Sequence, residues 1–267
     1  MSVDLTCETY GDPSNPAVVL IHPFPFRAAF WSAIAPVIAE NGFFVIAPNL
    51  RGCATSPLGN DEPNIDLLAD DVWKLLDSLG VENPYVMGIS LGGYVTLAML
   101  RARPKNVAGL GLFDTKATAD SAAAVRNRQR IASEIHEELS VSDYAKQMLP
   151  TLLSEYTHEH RPEVVEQVRT WISASNPHTV SWLQHAMASR PDSSQALAEF
   201  PGPVLFIRGA DDVVSKTEDF EHMKSLAQHS QMIVMGSCAH LPPVEEPDVV
   251  ATGIVNWLQD GNVKLPH

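Results

Sequence analysis

Only three cysteines, Cys7, Cys53 and Cys238, occur in 267 residues. The number is odd and the spacing is not that of a zinc ligand set, so neither a disulfide framework nor a metal site is expected. Reduced thiols and a cytoplasmic setting fit that usage. No apolar run approaches the ~18 residues of a membrane span, and the first ten residues lack the basic start and apolar stretch of a signal peptide, so neither is expected. Basic residues are scarce as well. The 18 Lys+Arg stand against 32 Asp+Glu, a net charge of −14, which argues against nucleic acid or an anionic membrane as partner. What the chain does contain is 45% hydrophobic and 19% charged residues. That is the mix of a globular protein burying a large core as one domain, or as one domain with an insertion.

Short apolar runs bounded by Gly, Pro and Asn recur at 17–22, 43–47, 85–89 and 107–113, and read as buried strands. Helical spacing lies between them, at 28–41, 65–79 and 91–103, so strand and helix alternate as in a parallel sheet covered on both faces. From 117 to about 198 no strand is expected and polar-faced helices such as 122–139 and 162–175 follow one another. Strands return at 203–207 and 231–235, each followed by a helix, at 218–228 and 247–258. The chain therefore divides into a first core stretch (1–116), a helical insertion (117–198) and a second core stretch (199–267). Open α/β sheets place ligands at the carboxyl edge, so the insertion is expected to lie over that edge as a cap. No heptad repeat marks an oligomeric state.

The strongest local pattern is Gly88-Ile89-Ser90-Leu91-Gly92-Gly93, where strand 85–89 meets helix 91–103. A G-x-S-x-G match arises by composition roughly 0.07 times in such a chain, so its strand-turn-helix context carries the argument. A sharp turn there holds a serine in a strained conformation, and small neighbours let the backbones pass. The alternative for Ser90 is a helix N-cap, which needs no flanking glycines. A serine hydroxyl attacks only when a base removes its proton and an acid orients that base. In the order Ser, acid, His, the turn Gly209-Ala210-Asp211-Asp212 supplies a carboxylate after one strand, and Gly236-Ser237-Cys238-Ala239-His240 a histidine after the next. Asp212 ranks first as acid, ahead of Asp114 at the end of 107–113 and of Asp211. His22 also follows a strand, where it could be a buried, hydrogen-bonded core residue.

Charge developing on a carbonyl oxygen needs backbone N–H donors. Leu91 supplies one. In His22-Pro23-Phe24-Pro25-Phe26 the prolines have no N–H, which leaves Phe24 as the second. The pair His158 and His160 is too closely spaced for a shared helix face, so a metal site is not expected there. Glu245-Glu246-Pro247-Asp248 reads as a solvated helix start. Tyr144, Trp171, Trp182 and Met187 are candidates for an apolar acyl pocket, with ordinary packing as the alternative, and Cys238 could support His240 from behind.

These motifs resemble the α/β-hydrolase superfamily over nearly the whole chain outside the insertion. His22-Pro23-Phe24-Pro25 resembles His-Gly-x-Pro, and the stretch from Asn49 to Ser56 resembles Asp-Leu-Arg-Gly-x-Gly-x-Ser. Gly88 to Gly93 is the nucleophile elbow, and Gly209 to Asp212 the acid turn. Gly236 to His240 with Glu246-Pro247 resembles the ending of the lidded esterase and lactonase-like branch. Pro23 stands where glycine is usual, and Asn49 and Ala54 where an acidic residue and a glycine are usual. The resemblance implies a cofactor-free serine hydrolase of small carboxylic esters or lactones, with Ser90, Asp212 and His240 as triad. Serine in place of aspartate disfavours epoxide hydrolase and dehalogenase chemistry. An enol-lactonase of aromatic catabolism, a carbon–carbon bond hydrolase or a perhydrolase would use the same triad. A small-molecule receptor with a slow triad is the reading of another class. Activity is expected to fall at acid pH as His240 takes up a proton.

Overall fold

In the computed structural model, residues 2–137 and 139–261 are described. Glu138, within the helix expected at 122–139, and residues 262–267 of the second core stretch lie outside them. The sheet has seven strands: β1 (Cys7–Tyr10), β2 (Ala17–Ile21), β3 (Phe44–Pro48), β4 (Tyr85–Ile89), β5 (Gly109–Phe113), β6 (Pro203–Gly209) and β7 (His229–Met235). Their order is β1-β3-β2-β4-β5-β6-β7. Only β1 runs antiparallel, its Cys7 opposite Pro48 and its Tyr10 opposite Val45. This edge strand is absent from the expectation because Cys-Glu-Thr-Tyr is short and half-exposed, without the continuous apolar run that marks β3, β4 and β5 as buried on both faces.

One face of the sheet is covered by α2 (Ile65–Ser78), α3 (Leu91–Ala102) and α10 (Thr217–Leu226). In α2, Ile65, Leu68, Ala69, Val72, Trp73 and Leu76 form one buried stripe, and the Asn64 side chain caps the helix by accepting from the Asp66 amide at 2.8 Å. On the other face lie a 3₁₀ turn at Ala28–Trp31, α1 (Ala35–Glu40) and α12 (Pro247–Gly261). The helix expected over 28–41 is thus two short pieces, the second beginning at Ala35 with a proline in its first turn.

Between β5 and β6 the chain forms α4 (Ala122–Glu137), α5 (Val141–Leu152), α6 (Glu155–His160), α7 (Pro162–Ser173), α8 (Pro177–Ala188) and α9 (Ser194–Glu199). Parallel strands end at a common edge, so the residues leaving β4, β5, β6 and β7 converge there. The register sets Ile89 beside Phe113, Phe113 beside Ile207, and Gly209 beside Met235.

Candidate active site

Ser90 leaves β4 with φ 54° and ψ −115°, a backbone conformation that disfavours any side chain. The turn is pinned on both sides. The Ser90 amide donates to the Phe113 carbonyl at 3.0 Å, and the Ser90 carbonyl accepts from the Thr115 hydroxyl at 2.9 Å and the Gly93 amide at 3.0 Å. A Cβ on Gly88 would collide with the Gly92 carbonyl, and one on Gly92 with the carbonyl of Ile21. Close passage of three backbone segments therefore requires glycine at both positions. The Ser90 side chain makes no cap hydrogen bond to α3, so the N-cap alternative does not hold.

His240 follows β7 and precedes the short α11 (Pro242–Glu245). Its Nδ1 lies 3.0 Å from Oδ2 of Asp212, and its amide donates to the Leu152 carbonyl at 3.1 Å. Asp212 also accepts from the Val214 amide at 2.8 Å and the Ser215 amide at 3.2 Å. Burial by itself raises the Asp212 carboxyl, but the His240 ring beside it and the backbone donor outweigh burial and hold it below its ordinary value.

The three acid candidates separate cleanly. Asp211 is exposed. Asp114 is fully buried at φ 37°, accepts from the Gly209 amide at 3.0 Å, and its carboxyl lies within side-chain hydrogen-bonding reach of Asp212. Burial, and then the nearby Asp212 charge, push the Asp114 carboxyl well above its ordinary value, which favours the protonated acid. Ligand-type atoms of Asp114, Asp212 and His240 lie within 4.8 Å of one another. The His240 Nδ1 and Asp212 Oδ2 are, however, engaged with each other.

Neither the Phe24 nor the Leu91 amide donates to a protein acceptor among the described residues, and Phe24 lines the same cavity as Ser90. The loop that carries Phe24 is held by His22, whose Nδ1 is 2.9 Å from the Pro23 carbonyl and whose Nε2 accepts from the Leu50 amide at 3.1 Å. Burial pushes the His22 imidazole down to about 4, so it is a neutral structural bridge.

Ser90, His240 and Phe24 line a cavity of about 390 Å³ closed by α4, α5 and α8. Tyr144 and Met187 line it too. Trp171 does not: it packs on Phe26 and Phe30 along a separate cleft. Nor does Trp182, whose indole donates to the Asp61 carbonyl at 2.9 Å. Lys116, Asn127 and Arg128 on the cavity wall escaped the sequence reading, because no local motif distinguishes them from solvated helix residues.

The acidic stretch needs correction. Glu245 is buried, not solvated: its carboxylate accepts from the amides of Ser154 (2.8 Å) and Ala239 (2.7 Å) and from the Thr157 hydroxyl (2.7 Å), while Arg161 donates to its carbonyl. It ties the α5–α6 junction to the loop carrying His240. Asp248 in the same stretch is exposed. The pair His158 and His160 lies apart, His158 against the Leu149 carbonyl and His160 stacked on Tyr156. Cys238 is fully buried, which pushes its thiol up. Among the described residues all three cysteines are free, and no helix is long and apolar enough to cross a membrane.

A parallel sheet with a strained serine after a central strand, and a His–Asp pair after the last two, defines a hydrolase-type site. The alpha/beta hydrolase fold family model matches residues 16–247, and the chain belongs to that family. A thermophilic esterase from Thermogutta terrifontis, solved with malate bound, is 34% identical, with 96% of this chain and 93% of that one covered and a TM-score of 0.91. The 3-oxoadipate enol-lactonase 2 of Acinetobacter baylyi is 24% identical over 247 residues, 92% of this chain and 89% of the relative. A bifunctional esterase/perhydrolase of Acinetobacter calcoaceticus is 21% identical, with 96% of each covered.

Proposed function

We propose that the protein is a serine hydrolase that cleaves a small carboxylic ester or lactone through an acyl-enzyme. The observation that carries this reading is one cavity lined by a strained Ser90 and by His240, whose far ring nitrogen is engaged by Asp212 at 3.0 Å. Ser90 attacks the carbonyl carbon as His240 Nε2 takes the hydroxyl proton. Asp212 orients the ring and stabilises the imidazolium. The Phe24 and Leu91 amides, both without a protein acceptor among the described residues, stabilise the tetrahedral oxyanion. His240 then protonates the leaving alkoxide, and water deprotonated by His240 releases the acid. Every step uses groups of the chain, so the reaction needs no metal or organic cofactor.

In this reading 1–116 and 199–267 form the catalytic core and 117–198 the cap over the carbonyl-binding end. Three unpaired cysteines support a cytoplasmic setting. The test is turnover of chromogenic esters from acetyl to decanoyl, and of simple lactones, by the wild type and Ser90→Ala. Loss of at least about 10⁴-fold in kcat/KM is expected. Equal turnover by both proteins would remove Ser90 as nucleophile.

A further inference from the structure

A chain with a net charge of −14 repels anions at long range, yet the wall of the Ser90 cavity is locally positive. Lys116, after β5, and Arg128, on α4, line it together with a single carboxylate, Asp120. That carboxylate is 1% exposed and already answered from outside the cavity by Arg190, itself 3% exposed, at 2.8 Å. Arg128 Nε donates to the other Asp120 oxygen at 2.6 Å, and Lys116 Nζ stands off at 3.6 Å. Three cations therefore share one anion. The second acid of the region, Asp212, is paired with His240 and does not line the cavity.

The remaining polar groups on this wall offer hydrogens. One terminal nitrogen of Arg128 reaches the Gln184 amide oxygen at 3.2 Å, and the other has no hydrogen-bond partner among the described residues. Tyr144 accepts from the Gln184 amide nitrogen at 3.0 Å, which leaves the phenolic hydrogen for another acceptor. Asn127 accepts from Arg130 at 3.0 Å and keeps its own NH₂. The Lys116 and Arg128 side chains are 23% and 20% exposed, so a ligand can reach them. Apolar Phe24, Ile131, Met148 and Met187 complete the lining.

We infer that the substrate carries a carboxylate besides its scissile ester or lactone bond, and that Arg128 and Lys116 hold it while Ser90 attacks. The inference rests on the serine-hydrolase reading for the scissile bond, but the donor set stands without it. Charge-assisted hydrogen bonds from a guanidinium and an ammonium match a carboxylate, whereas a neutral group would leave both cations partly desolvated with only the Asp120 charge, shared with Arg190, to answer them. The substrate class is a half-ester of a short dicarboxylic acid, or a lactone acid.

The test compares monomethyl glutarate with dimethyl glutarate as substrates of the full-length protein at low ionic strength. The wild-type ratio of kcat/KM, half-ester to diester, is expected to be about tenfold or more in favour of the half-ester. In Arg128→Gln the ratio falls roughly tenfold, chiefly through KM, and Arg128→Lys restores part of it. Lys116→Met, which leaves the Asp120–Arg128–Arg190 cluster whole, guards against loss of folding and lowers the ratio about threefold. A wild-type ratio at or below one, or a ratio unmoved in both Arg128→Gln and Lys116→Met, overturns the inference. If neither ester is hydrolysed, turnover of the chromogenic esters and lactones judges the hydrolase reading separately, and calorimetry with glutarate decides the carboxylate site. Binding to the wild type that is lost in Arg128→Gln supports the site, and absent or equal binding overturns it.

Discussion

The carboxyl edge of the sheet and the helical segment above it hold their polar groups by different means. At the edge, Ser90, Asp114, Asp212 and His240 each sit in a turn leaving a strand, fixed by backbone hydrogen bonds: Ser90 to Phe113, Asp114 to Ile207, Asp212 to Gly209, and His240 across to Leu152 of α5. In the segment and at its entry, Lys116, Asp120, Arg128 and Arg190 are held by one another and by Gln184 and Met187. Backbone anchoring places an atom within tenths of an ångström and tolerates little change in sequence. Side-chain anchoring can be rewritten residue by residue without disturbing the sheet. The proposed bond-breaking groups belong to the first kind and the groups proposed to choose the substrate to the second.

The sharpest test of the edge is its two buried carboxyls. Asp212→Asn is expected to lower kcat by about 10³ to 10⁴, because the amide no longer stabilises an imidazolium. Asp114→Asn, nearly isosteric with the protonated acid, is expected to cost less than about tenfold, since the hydrogen bond from Gly209 is kept and the amide NH₂ can donate to Asp212 as the protonated carboxyl does. Steady-state kinetics of both variants measure the contrast, and equal losses would erase the distinction between the two sites.

The junction of the two regions comes next. Removing Glu245 strands three buried donors, so Glu245→Ala is expected to lower unfolding free energy by about 3 to 4 kcal/mol in urea titrations. It should also lower kcat on esters, since Ala239 precedes His240. A variant as stable as wild type would show that the segment needs no tie to the histidine loop.

His22 gives the edge a pH dependence. Its pKa falls from 6.5 to about 4 on folding, so between those values the unfolded chain binds more protons. Stability contributed by neutral His22 is full above that window and is lost on acidification through it, by about 3 kcal/mol. Replacement by Gln should flatten the dependence of the urea midpoint between pH 7 and pH 4. An unchanged slope would mean that other groups govern acid sensitivity.

The smallest effect falls at Ala54, which takes φ 49° where the family resemblance expects glycine. Ala54→Gly is expected to raise the unfolding free energy by about 0.5 to 1 kcal/mol, as relief of strain exceeds the added freedom of the unfolded chain. A lower melting temperature would argue that the loop is not strained there.

Elements with a strong local signature were legible without coordinates. The buried runs of β3, β4 and β5, the stripe of α2, and the turns bearing Ser90, Asp212 and His240 all lie where periodicity and small residues point. The edge strand β1 and the break in 28–41 were not, since a short half-exposed strand and a 3₁₀ turn carry little hydrophobic pattern. Glu245 was misread because an acidic residue at a helix end looks solvated until the donors that meet it arrive from elsewhere in the chain, at Ser154 and Thr157.

By itself, then, the sequence determined the alternation of strand and helix, the sharp turn at Ser90 and the order of the turns bearing Ser90, Asp212 and His240, because each depends on neighbours within a few positions. Only the tertiary structure decided which of three aspartates faces His240, and that Tyr144 but not Trp171 lines the cavity. It also decided that Lys116, Arg128 and Arg190 share one carboxylate. Most of those choices are made by contacts between segments tens of residues apart, such as Asp212 with His240 and Asp120 with Arg190, whose geometry no local spacing encodes.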